Sequence, residues 1–302
     1  MPLTVGTHSG TFHADDVLAF ALLQVYVDRD ATVVRTRDPE RLATCDVVID
    51  VGGSFDPAAR RFDHHQGSYE GPLSSAGMIL EWLAEQGQLS ASLAAHLRER
   101  LVTYVDDVDT GRRAPELDVP CFARIVEAIG NGREGAQADV GFLEAAGVAV
   151  LLIEGLHRGW QAVEDARDAV SAAMKVAEQE HRSYMVLDRY YAWKPAYFEA
   201  GGADHATDFV LFPSEDGSWK VLAIPPRLGC FEQKRSLPES WAGKLGEELE
   251  AATGVAGSMF CHKNRFIAVF RTLDGAVDAL TRFGLAEPEF HETPLVAGGA
   301  RA

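Results

Sequence analysis

The chain has 302 residues, 47% hydrophobic and 24% charged, enough for two domains that each bury a core. Its formal net charge of −17 excludes general affinity for duplex DNA, which relies on Lys and Arg neutralising phosphates. No unbroken apolar run approaches the ~18 residues of a membrane span, so no membrane partner is expected.

Leu3 to Thr7 reads as a short buried strand ending at His8. The chain enters it without a basic, apolar leader, so a cleaved secretory signal is not expected. Val17 to Val27 is apolar nearly all round, as in a helix buried beside a sheet. Asp15 and Asp16 stand at its start, where the helix dipole favours carboxylates. Thr32 to Arg35 forms a second strand and Val47 to Val51 a third. This alternation predicts an α/β fold, a parallel sheet flanked by helices, with ligands outside the carboxyl ends of the strands. His8 and Asp50 then reach the same edge. Gly52-Gly53 permits a sharp turn, and Asp63-His64-His65 follows a short loop. Ser74 or Ser75 caps a helix through Gln86. A further helix from about Ser90 to Val105 delivers Asp106 and Asp109, three apart and able to face the same way.

From Val140 to His181 the sequence is Ala-rich and reads as one or two helices, with Gly155 and Gly159 as the breaks. The texture changes at Tyr184. Phe209 to Phe212 and Trp219 to Ile224 flank a hairpin turn at Ser214–Ser218. Pro238 opens a helix to about Ala252, Ser258 to His262 and Phe266 to Phe270 make another strand pair, and Asp274 begins a last helix. These patterns divide the chain into residues 1–183 and residues 184–302, the second a smaller α+β domain. A loose tail, including Val296-Ala297-Gly298-Gly299, is expected from Glu287. Cys45, Cys121, Cys230 and Cys261 are widely spaced, with no CxxC pair, and read as reduced thiols of a cytoplasmic protein.

Taken singly, Asp15 is a helix cap, Asp50 a turn former and Asp109 a surface charge. Jointly, His8, His13, Asp15, Asp50, His64 and one of Asp106 or Asp109 make a ligand set for two ions. Carboxylates mixed with imidazoles, without thiolates, favour Mn2+, with Mg2+ or Co2+ as alternatives. Two such ions about 3.5–4 Å apart bind a phosphate and activate a shared water.

The order of these motifs resembles the DHH phosphoesterase superfamily. It is most similar to the melanocyte-proliferating-gene family of metal-dependent hydrolases, whose eukaryotic members are described as RNA exonucleases. The stretches that carry the resemblance are GTHSGTFHADDVLA, DVVIDVGG, RFDHHQ, LSSAGMILEWL and VDDVDTG, then WK, FEQKRSLPESWAGKLGEEL and TGVAGSMFCHKNRFI. It implies a DHH-like catalytic domain with one ion on His8, His13 and Asp50. The other ion would take Asp15, Asp50, His64 and an aspartate of the Asp106–Asp109 stretch, with Asp50 bridging. It implies that His65 points at the phosphate while Asp63 orients a ligating histidine. Two departures stand out: His13 replaces an aspartate of the superfamily pattern, and Arg265–Phe270 occupies the place of an expected glycine pair.

Arg235, His262 and Thr272 are the candidate substrate contacts. They lie in or beside a basic region, Lys220–Arg271, that holds 8 of the 11 Lys and Arg residues of positions 190–302. Facing the metals across a cleft, that region would hold the substrate's non-reacting phosphates. The function expected is a manganese-dependent phosphodiesterase or exonuclease acting on short single-stranded RNA or oligonucleotides through a two-metal-activated water. The alternatives are a small-nucleotide phosphatase or pyrophosphatase, and a non-catalytic metal-binding regulatory protein. Homo-oligomerisation is left open.

Overall fold

The computed structural model describes residues 1–116 and 118–287 of the chain. They divide into two compact units, Met1–Trp160 and a second beginning at Gln161. The division falls inside a helix, well before the change of texture at Tyr184.

In the first unit, strands β1 (Thr4–Thr7), β2 (Thr32–Arg35), β3 (Val47–Ile49), β4 (Phe55–Asp56) and β5 (Arg61–Phe62) form one sheet in the order β2-β1-β3-β5-β4. The pairs β1/β2, β1/β3 and β3/β5 are parallel, and β4 returns antiparallel on the edge. Helix α1 (Ala14–Tyr26) follows β1 and buries every residue from Ala14 to Leu23. It is apolar all round because it touches β3 on one side and, on others, α3 (Ser75–Glu85), α5 (Thr103–Asp109) and α6 (Phe122–Gly130). A short α2 (Pro39–Ala43) starts on Asp38, whose side chain accepts from the Glu40 amide. Helix α3 starts after Ser74, but the Ser74 hydroxyl makes no capping bond to the helix and donates instead to Asp106.

The helical run after Ser90 is α4 (Ala91–Leu97), a π-helical turn (Arg98–Val102) and α5. The π turn precedes both Asp106 and Asp109, so it changes where α5 faces relative to α4 but not how these two residues point relative to each other.

Helix α7 (Ala136–Gln179) runs 44 residues without a break at Gly155 or Gly159. Isolated helical glycines cost only about 1 kcal/mol each, and packing along the helix outweighs that. Phe142, Ala145, Ala146, Ala149 and Ile153 enter the first unit's core, whereas Ala166, Val170, Met174 and Ala177 enter a core of the second. Among the described residues, it is the one helix long and apolar enough, by length and composition, to cross a membrane.

The second unit holds β6 (Tyr184–Val186), α8 (Trp193–Glu199), β7 (Phe209–Pro213), β8 (Trp219–Ala223), α9 (Gly246–Thr253), β9 (Ser258–Cys261), β10 (Ile267–Phe270) and α10 (Leu273–Arg282). Its sheet order is β6-β7-β8-β10-β9, parallel only at β6/β7. The hairpin β7/β8 and the pair β9/β10 match the sequence reading. Pro238 does not open a helix reaching Ala252. It leads into a single 3-10 turn, Glu239–Trp241, after which Gly243 (φ 71°) turns the chain toward α9, whose first residue is Gly246 (φ 46°). Helix α8 has no side-chain cap at its N-terminus, so its start carries no sequence signal. The expected tail segment Val296–Gly299 lies outside the described residues.

Candidate metal centre

The carboxyl ends of the parallel strands converge on one cluster. His8 follows β1, Asp50 follows β3, and Asp63, His64 and His65 follow β5. The first turn of α1 adds Asp15 and Asp16 from behind, and Asp109 enters from the last position of α5.

Asp50 sits at the middle. Its Oδ2 is 3.2 Å from His8 Nε2, and its Oδ1 is 3.6 Å from His64 Nδ1 and 3.4 Å from His65 Nδ1. Asp50 adopts the left-handed backbone conformation at φ 55°, a strain of about 1–2 kcal/mol that Asp bears better than most residues. That turn aims the carboxylate across the strand ends. His64 Nε2 lies 3.0 Å from Asp109 Oδ2. Donor atoms within 4.8 Å of one another form three sets: His8, His13 and Asp50; His13, Asp15 and Asp109; and Asp50, Asp63, His64 and His65. His13 joins the first two sets and Asp50 the first and third.

His8 and His64 offset only part of the acidic charge in this cluster. Asp15 is fully buried, and neither of its carboxylate oxygens has a hydrogen-bond partner. Asp16 Oδ2, Asp50 Oδ1 and His64 Nδ1 are likewise buried without one. A buried, unpaired carboxylate costs several kcal/mol, which a bound cation removes. Burial, then the charges of Asp50, Asp109 and Asp16, push the Asp15 carboxyl well above its ordinary range. Burial also pushes Asp16 up to about 7, against the opposing charge of His8. For the histidines, burial acts downward but the carboxylates prevail. Asp50 and Asp16 hold His8 above its ordinary value, and Asp109 does the same for His64. Asp109 itself is held low, the upward push of burial being outweighed by His64. Alternating buried acids and imidazoles with orphaned oxygens fit a divalent cation.

Asp63 and His65 form a separate pair. Asp63 Oδ1 is 2.8 Å from His65 Nδ1, and its Oδ2 accepts from the Gly53 amide at 2.6 Å. Burial raises the Asp63 carboxyl less than those bonds lower it, so it stays ionised. Asp63 therefore orients His65; it makes no comparable contact with His64, whose ring stacks on His65 at 4.3 Å between centroids.

Asp106 takes no place in the three donor sets. Its Oδ1 accepts from the Ser74 amide (3.0 Å), the Ser74 hydroxyl (2.6 Å) and the Gly77 amide (3.1 Å), closing the N-terminus of α3. A Cβ on Gly77 would stand 2.3 Å from Asp106 Oδ2, so this approach needs glycine. Burial pushes Asp106 up to about 6 despite the three donors. Asp107 binds Arg112 at 2.7 Å, on the exposed side.

Three residues near the cluster were missed from sequence. Asp16 Oδ1 accepts from the His13 amide at 2.9 Å while Oδ2 lies 3.3 Å from His8 Nε2, so one side chain both caps α1 and aligns a ligand. An acid three residues after the residue preceding a helix is a capping-box signal that could have found it. Arg35 donates to the Gly10 carbonyl at 2.5 Å and to Asp139 at 2.9 Å, tying the loop between His8 and His13 to α7. Arg37 lines a cavity of about 500 Å³ with His8, His13, Asp50, Asp63 and His65. A second cavity, about 600 Å³, is lined by His13 and Asp109 together with Arg124, Asn131 and Arg133.

The residues expected to touch substrate in the second unit each have a local partner. Arg235 donates to the Gly284 carbonyl at 2.6 Å, and His262 Nδ1 accepts from the Asn264 amide at 3.0 Å. Thr272 caps α10 by accepting from the Gly275 amide at 3.1 Å. Ala268, where a glycine pair was expected, is fully buried in β10.

The model of the family described as "MYG1_exonuc: Uncharacterised protein family (UPF0160)" matches residues 4–282. A protein of Chlamydia muridarum named "MYG1 protein" is 40% identical over 283 residues, 93% of this chain and 96% of the relative. The human protein named "MYG1 exonuclease" is 31% identical over 332 residues, covering 96% of this chain and 87% of the relative. A "MYG1 protein" of Dictyostelium discoideum is 30% identical over 313 residues, 91% of this chain and 94% of the relative.

Proposed function

Because the chain belongs to the MYG1 family, we propose that it is a metal-dependent phosphodiesterase of the exonuclease type, acting on short single-stranded RNA or oligonucleotides. The observation that carries this reading is the set of buried oxygens on Asp15, Asp16 and Asp50 that receive no hydrogen bond, a charge for which divalent cations are suited. The nuclease assignment is supported by the printed name of the human relative, and the DHH-like order of motifs agrees with it. His8, His13 and Asp50 would hold one ion; Asp15, His64 and Asp109 would hold the other with Asp50 between them. The all-oxygen and imidazole donor set favours manganese. Bound ions would supply Lewis-acid polarisation of the phosphoryl group and a water acidic enough to attack at neutral pH.

The chain's own residues do the rest. Asp63 accepts at Nδ1 of His65, which therefore carries the proton there and leaves Nε2 for a phosphate or leaving-group oxygen. The His65 side chain is 63% exposed, as a substrate contact should be. Arg37 lines the same cavity as a guanidinium for the phosphate. Cavities of about 500 and 600 Å³ suit one or two nucleotides.

Those volumes, with the net charge of −17, also support a second reading, a phosphatase or pyrophosphatase of small nucleotides. One assay separates them: manganese-loaded protein against a five-nucleotide RNA, a dinucleotide, pyrophosphate and a phosphomonoester. Turnover of the RNA and dinucleotide that is lost in chelator and in Asp50→Asn supports the phosphodiesterase. Turnover of pyrophosphate or monoester alone replaces it with the second reading, and no turnover of any substrate refutes both.

A further inference from the structure

Helix α7 carries an apolar face that is left exposed among the described residues. Val140, Leu143, Val148, Leu151 and Leu152 are all exposed, Leu151 at 68%. Five large apolar residues along one stretch of helix exceed the scattered exposure of an ordinary surface. Apart from the helix's own backbone and the chain neighbours, no atom of the described residues stands within 4 Å of a Cβ built on Gly147 or Gly159, and only the Arg158 guanidinium, at 3.9 Å, approaches one on Gly155. A neighbouring backbone can therefore come close.

The charges on this face identify what covers it. Seven residues are nearly two helical turns, so Glu144, Leu151 and Arg158 fall on one line along α7. Acid and base stand at equal distances on either side of the leucine. Crossing two such helices antiparallel, with a two-fold axis at Leu151, sets Glu144 of each against Arg158 of the other. The same register sets Gly147 against Gly155 and Leu143 against Gly159, large residues and close-approach sites in alternation. A parallel arrangement would oppose Glu144 to itself. A lipid surface would take both charges at the centre of the stripe, and an anionic one would also meet a chain of net charge −17. Glu144 already contacts Arg133 at 2.6 Å through Oε2, leaving its other oxygen for a second partner; the Arg158 side chain is 73% exposed and reaches Glu154 of its own helix only at 4.0 Å.

We propose that this face of α7, from Val140 to Gly159, is the self-complementary interface of a homodimer whose two-fold axis passes at Leu151. Sedimentation of the full chain over a range of concentrations, with and without variants, tests it. The wild type is expected to dimerise. Leu151→Glu, at an exposed position, is expected to keep its melting temperature and weaken the dimer on the order of a hundredfold. Glu144→Arg and Arg158→Glu, each meeting a like charge twice per dimer, are expected to weaken it about tenfold, and the double variant to restore it. A wild type monomeric at all concentrations overturns the proposal. So does a dimer indifferent to Leu151→Glu, or a double variant no tighter than either single one. Flotation with phosphatidylcholine vesicles covers the other occupant: a monomer that binds them only while Leu151 is present also overturns it.

Discussion

Asp106 offers a test of how the fold divides labour between two aspartates three residues apart. Asp106→Ala strands three donors: the Ser74 amide and hydroxyl and the Gly77 amide. A lost cap and two further unsatisfied buried donors cost about 1 kcal/mol each, about 3 kcal/mol together. An opposing effect depends on pH. Burial holds the Asp106 carboxyl at about 6 against an ordinary 3.8. The folded chain thus binds this proton more tightly than the unfolded one and gains stability as pH falls through 6. Ionised at pH 8, the group costs the native state about 3 kcal/mol, of which about 2 kcal/mol is recovered by pH 4.5. Alanine does not ionise. The substitution is therefore nearly neutral at pH 8 and destabilising by about 2 kcal/mol at pH 4.5, a fall of about 6 °C in the melting temperature. Melting curves of both proteins in chelator, taken as differences at the two pH values, measure it. Metal content at pH 8 should equal that of the wild type. The same melting difference at both pH values, or metal loss like that of Asp109→Ala, would refute this division.

Asp50→Asn keeps a residue that tolerates φ 55° but removes the central charge; bound manganese and turnover should both fall to background while the fold persists, and retention of two ions per chain would contradict it. His64→Ala is expected to lose metal, whereas His65→Ala keeps metal and loses about 10²–10⁴-fold in turnover; equal metal loss in both would show that the roles are misassigned. Because carboxylates hold the His8 and His64 pKa values above the ordinary imidazole value, metal binding must displace protons. Affinity should fall as pH drops through that range, with proton release read by calorimetry in buffers of different ionisation enthalpy; a pH-independent affinity would remove both histidines from the ligand set.

Much of the first unit was legible because its patterns are local. Thr32–Arg35 is β2, residue for residue, and β-branched Val47, Val48 and Ile49 form β3. The all-round apolar face of α1 announced a helix covered on several sides. Side chains that end parallel strands share one edge, so His8 and Asp50 could be brought together from topology alone, whereas β5 (Arg61–Phe62), which delivers Asp63, His64 and His65 to that edge, is too short to read from sequence. What sequence could not decide lay in contacts between segments distant in the chain. Asp106 and Asp109 are the same residue type on one helix, separated in role by the Ser74 and Gly77 donors at the start of α3. Asp63 turned out to hold His65 because its oxygens sit between the Gly53 amide and that ring. Gly155 and Gly159 looked like helix breaks, yet packing of α7 on two cores outweighs the cost of two glycines. Composition and period report which face of a segment is apolar; which partner meets that face, and which buried oxygens are left for a cation, depends on three-dimensional proximity that only the folded chain supplies.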